Sequence, residues 1–117
     1  MWLCLNRGFF SVVKSSKDAD EFLVRSRVKG HLENYFPDET IIITNFNDYP
    51  YRIIISKEVF SEWLVNQVNC INYTNFKDSV SDRTLHSFYS EIWYLGVKIF
   101  ERCRKSRWFQ HSNDDFL

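Results

Sequence analysis

Glycine and proline are scarce, three and two among 117 residues, and the scarcity excludes several chemistries at once. Three glycines cannot build a phosphate cradle, and neither G-x-G-x-x-G nor G-x-x-x-x-G-K-[ST] occurs; G-x-S-x-G and H-E-x-x-H are missing too. Cysteine is equally sparse. Cys4, Cys70 and Cys103 are odd in number, widely spaced and free of any C-x-x-C pair, so neither a disulfide framework nor a zinc site is expected. That usage suits a reducing compartment, and a cytoplasmic location is expected. His31, His86 and His111 have no metal-ligand spacing among themselves or with a cysteine, so no metal and no cofactor is expected. Net charge is lacking as well: 15 basic and 15 acidic residues leave no global field to draw the chain to nucleic acid or an acidic membrane. Any phosphate binding would be local. The apolar start, Met1 to Leu5, ends at Asn6 and Arg7, far short of a signal sequence or a membrane span.

Bulky apolar surface, by contrast, is abundant. Apolar residues make up 44% and aromatics 18%, enough to offset the ordering entropy of one domain. Aromatic and β-branched residues at Phe9 to Val13, and alternation from Phe22 to Val28, read as two strands, and Trp2 to Leu5 can supply another. Asn6-Arg7-Gly8 and Lys14 to Asp20 carry turn chemistry between them. A short helix fits Gly30 to Phe36, stopped by Pro37. Thr40 to Thr44 and Tyr51 to Ser56 form a second strand pair around the loop Asn45 to Pro50. Ser56 can cap a helix carrying Phe60, Trp63, Leu64, Val68 and Ile71 at helical spacing. Ser81 or Asp82 can cap the longest helix, which runs to about Cys103 with Leu85, Phe88, Ile92, Ile99 and their neighbours on one face. Gly96 on that face costs about 1 kcal/mol against alanine and suggests a close backbone approach.

The pattern predicts one α+β domain over residues 1–107: an antiparallel sheet of four or five strands with two or three helices on one face, in the order (β)ββαββαα. Trp63, Phe88, Ile92 and Ile99 are expected in the core, and residues 108–117 as a flexible tail.

Three constellations can carry function. Arg25 and Arg27, two apart on a strand, share a face about 7 Å apart; if the strand of Arg52 runs nearby, three guanidiniums can meet and hold phosphate or carboxylate bidentately. The competing reading is a solvated face with arginines laid over apolar surface or paired to acids. Two polar-aromatic loops, with Tyr49, Tyr51 and Arg52 in one and Tyr73, Asn75 and Lys77 in the other, offer rigid rings beside adaptable hydrogen bonding. Turn chemistry with rings plugging the core edge explains them equally well. Third, His86 on the longest helix could act as an acid or base beside Lys77 and Asp78, against the commoner role of a half-buried histidine with one structural hydrogen bond. The basic run Arg102, Arg104, Lys105 and Arg107 complements a helix C-terminus more simply than it makes a nucleic-acid patch.

Phe10-Ser11-Val12-Val13, Leu23 to Lys29 with Phe36-Pro37, Asp48 to Arg52, Tyr73 to Lys77 and His86 to Tyr89 together resemble a family of short bacterial and phage proteins without an assigned activity. The resemblance spans about Met1 to Phe100, implies a stand-alone domain from a bacterium or mobile element, and transfers no catalytic residue. The expectation is a non-catalytic binding module that docks on a protein partner through Arg25, Arg27, Tyr49, Tyr51, Arg52, Tyr73, Asn75 and Lys77, with no membrane partner. The alternative is a small metal-independent enzyme acting on phosphate or nucleotide substrates through His86 with Lys77 and the arginines.

Overall fold

The structure is a computed structural model and describes residues 1–105; the expected tail, 108–117, lies outside them. Five strands form one antiparallel sheet: β1 (Trp2–Leu5), β2 (Gly8–Lys14), β3 (Glu21–Ser26), β4 (Ile42–Ile43) and β5 (Tyr51–Ser56), in the spatial order β1-β2-β3-β5-β4. The helices are α1 (Lys29–Tyr35), α2 (Lys57–Asn69) and α3 (Arg83–Lys105). The expected α+β fold is the one that forms, all five strands included, with α1 and α2 as the helices that cover one face.

Alternation sorts the side chains. Phe10 and Val12 of β2, Val24 of β3, and Ile53 and Ile55 of β5 point to one face and are buried there with Leu32 of α1, Phe36 just after it and Phe60 of α2. Trp63, half-buried on α2, closes this core from above: its ring lies 4.6 Å from that of Phe36 and 5.3 Å from that of Phe60. Local chemistry starts the helices where the sequence suggests. Ser56 Oγ accepts from the Val59 amide at 3.2 Å, and Asp82, rather than Ser81, caps α3 by accepting from the Leu85 amide at 2.8 Å.

The longest helix departs from its expected place. Phe9, next to Phe10 and therefore on the opposite face, forms a second, smaller core with Val80, Leu85 and Tyr89. The Tyr89 hydroxyl reaches the Leu5 and Gly8 carbonyls at 2.8 and 2.9 Å, tying α3 to the β1–β2 turn. Phe88 packs against this cluster as expected of a core residue. Ile92 and Ile99 do not: they are 39% and 62% exposed. Past Tyr89 the helix continues beyond the two cores, and among the described residues the second half of its apolar arc is largely exposed, Ile92 and Trp93 alone still lining a cavity with Cys4 and Lys77. Among the described residues no helix is long and apolar enough to cross a membrane.

Candidate binding site

The sheet register builds the site. Ser11 pairs with Arg25 across β2 and β3, and Arg25 pairs with Arg52 across β3 and β5, so the three side chains form one row on the face away from α1 and α2. Arg27 follows two residues later on the same side. The loop before β5 folds back over this row, and Tyr49 enters between two guanidiniums. The Cζ atoms of Arg25 and Arg27 lie 4.7 and 4.6 Å from its ring centroid. Tyr49, a loop residue, is only 5% exposed as a result.

Backbone carbonyls and one hydroxyl hold the arginines in position. Arg52 Nε donates to the Tyr49 carbonyl at 3.1 Å, Arg27 Nε to the Asp48 carbonyl at 3.2 Å, and an Arg25 Nη to Ser11 Oγ at 2.7 Å. Arg25 Nε is buried without a hydrogen-bond partner. Among the described residues no carboxylate lies within 4.0 Å of any of the three guanidiniums. Of the competing sequence reading, the stacking half therefore applies and the acid-pairing half does not. Three permanent cations stand together with neutral partners only, and the forks not used on carbonyls remain suited to a carboxylate or phosphate.

The other expected site residues are placed differently. Tyr51 points to the opposite face and packs against the larger core. Tyr73 and Asn75 lie in the loop before α3, and Lys77 opens a single 3-10 turn, Lys77–Ser79, within the same connection. Asn75 Oδ1 accepts from the Asp78 amide at 3.2 Å, and the Tyr73 ring rests 5.7 Å from Phe76, which itself sits 5.1 Å from Tyr89. Turn chemistry and ring plugging thus account for these two. Lys77 Nζ is 3.7 Å from Asp78 Oδ1 and 5.6 Å from the centroid of the Trp93 ring; His86 Nε2 is 3.9 Å from the same Asp78 oxygen. A shallow cavity of about 290 Å³ lies between β1 and α3, lined by Cys4, Phe76, Lys77, Tyr89 and Trp93 among others, but not by His86 or Arg52. Among the described residues no hydrogen bond, ion pair or ring contact joins the two constellations. Ser11 and Asp48 belong to the arginine row without having been expected there. Their signal is long-range register, which no local motif carries.

One histidine has a fixed structural role. His31 Nδ1 accepts from the Phe9 amide at 3.3 Å, which requires the neutral ring. Burial pushes its pKa below the ordinary value near 6.5, with Asp82 opposing in part. A depressed folded-state pKa means stability that is present above 6.5 and declines as pH falls from there toward the folded-state value. Urea midpoints measured between pH 7.5 and 5 should fall for the wild type, and His31→Asn, which keeps an acceptor and removes the titration, should show a shallower decline; equal slopes would contradict this role.

No family model, curated protein or solved structure matches the chain. Among the described residues no group of three or more His, Cys, Asp or Glu side chains could hold a metal ion.

Proposed function

We propose that this chain is a non-catalytic binding module and that Arg25, Arg27 and Arg52, arranged around Tyr49, form its contact surface for an acidic patch on a partner protein. The observation that carries the reading is three neighbouring guanidiniums, two stacked on Tyr49 and all held by backbone carbonyls or the Ser11 hydroxyl, with no carboxylate of the described residues neutralising them. Fixing the arginines in advance lowers the ordering entropy charged to binding, and Arg with Tyr is the usual composition of an interface anchor. A protein partner fits better than nucleic acid because the cationic patch is small and the chain as a whole is neutral. The resemblance to bacterial and phage proteins suggests a mobile-element product docking on a host complex. A cytoplasmic setting follows, where exposed thiols such as Cys4 and Cys70 persist. Catalysis by His86 has less support, because the charge-stabilising arginines it would need stand in a separate cluster.

The test pairs charge reversal at the patch with removal of the histidine. Arg27 is exposed, so Arg27→Glu should leave folding intact. In a pull-down from bacterial lysate with the captured protein identified, Arg27→Glu and Arg52→Ala should weaken capture by about 1–2 kcal/mol or more, while His86→Ala retains it. Phosphatase or nuclease turnover by the wild type that vanishes with His86→Ala would replace this reading by the enzymatic one.

A further inference from the structure

α3 has 23 residues, about 34 Å at 1.5 Å per residue, and its members of the smaller core are Leu85, Phe88 and Tyr89, all near its start. Past them, Ile92, Leu95, Ile99 and Phe100 continue the same arc, and the last three are each more than half exposed. Trp93, 61% exposed, widens it. A contiguous apolar surface of several hundred Å² is characteristic of an interaction site.

Two features say what covers it. Gly96 sits inside this arc, and a Cβ there would meet nothing within 4 Å. Among the described residues nothing supplies the close backbone approach that would explain a glycine in mid-helix. Charge supplies the orientation. With Ile92 taken as zero, Glu91 lies at about −100°, Lys98 at about −120°, Arg102 at about −80° and Lys105 at about −140° around the helix. One flank thus carries an acid at the near end and bases at the far end. Among the described residues Glu91 has no cation within 4.0 Å, and Arg102 and Lys105 have no carboxylate. A parallel two-fold copy would bring unlike flanks together, setting Glu91 of each chain beside Trp93 of the other and Arg102 beside Arg104, cation against cation. A two-fold antiparallel copy brings like flanks together and sets Glu91 of each chain toward Arg102 and Lys105 of the other.

We infer that the second half of α3 is a self-association surface, on which the α3 of a second copy lies antiparallel with the two backbones crossing near Gly96. The surface uses no residue of the arginine row, so it stands or falls independently of the proposed function.

Sedimentation equilibrium of the full chain across the micromolar range should give a species of twice the monomer mass. Glu91→Lys alone, and Arg102→Glu with Lys105→Glu, should each weaken dimerisation about tenfold or more through like-charge contacts. An equimolar mixture of the two variants should recover a heterodimer, because their flanks are now opposite in charge. Gly96→Leu should abolish the dimer without lowering the melting temperature of the monomer, since leucine favours the helix but blocks the crossing. A wild type that stays monomeric, a variant mixture that fails to associate, or a Gly96→Leu protein that dimerises as well as the wild type would each overturn the inference. So would a monomer that instead binds vesicles of anionic phospholipid through this arc.

Discussion

Phe10→Ala should cost about 3–5 kcal/mol of folding free energy, the range for removing a fully buried aromatic ring. Phe10 has no exposed surface, and its ring is met by three others: Tyr35 at 5.7 Å, Phe36 at 6.1 Å and Trp63 at 6.5 Å between centroids. Those rings belong to α1, the residue ending it, and α2, so the void left by alanine would lie where both helices meet the sheet and could collapse only by moving a whole helix. A domain of this size has about 5–15 kcal/mol in total, which puts the variant near the edge of folding. Urea unfolding is the measurement, with Ile92→Ala as the contrast. Ile92 is 39% exposed, and in the monomer its truncation should cost under about 1 kcal/mol. Equal losses at the two positions would mean that α3 is packed on the domain along more of its length than its first turns.

Periodicity tells which residues face together, and here it was sufficient for the strands. Alternation along Phe22 to Ser26 and Tyr51 to Ser56 put Arg25 on a face of its strand and Arg52 on a face of another. That the two meet depends on β5 pairing with β3 across an intervening helix and the two-residue edge strand β4. No local pattern encodes that choice. The same limit explains α3. The arc from Leu85 to Phe100 is real, but a helical period describes the helix and not the extent of the body beneath it, so Ile92 and Ile99 looked like core.

Tyr49 shows the same limit from the other side. Local sequence leaves it equally a contact residue or a ring plugging the core edge, and two guanidiniums of one strand stacked on its ring are what bury it. Its burial is a consequence of strand pairing, as is the exclusion of Tyr51, which the alternation of β5 turns to the opposite face. Residue types are legible in the sequence, but register decides which of them lie together, and it places Arg25 beside Arg52.

Gly8→Ala should destabilise the protein by about 1–3 kcal/mol, the cost of overpacking a well-filled site, although alanine is ordinarily tolerated better than glycine in a strand. The added Cβ would stand 2.9 Å from Phe10 Cζ, 3.2 Å from His31 Cβ and 3.2 Å from Tyr35 Cε2. None of the three can withdraw alone. Phe10 is enclosed by rings, His31 accepts from the Phe9 amide, and the Tyr35 hydroxyl accepts from the Arg7 amide at 2.9 Å while donating to Asn6 Oδ1 at 3.1 Å. Relief therefore means moving the β1–β2 turn against α1. That movement reaches α3 as well, because the Gly8 carbonyl is one of the two acceptors of the Tyr89 hydroxyl, so both cores should loosen together and the near-ultraviolet dichroism of their rings should weaken. Gly30→Ala is the internal control: a Cβ there meets nothing within 4 Å, and in α1 alanine should be neutral or gain up to about 1 kcal/mol. Chemical unfolding of the two variants side by side separates crowding from backbone propensity, since both make the same change of one methyl group; a Gly8→Ala protein as stable as Gly30→Ala would mean that the turn is not wedged against α1 at all.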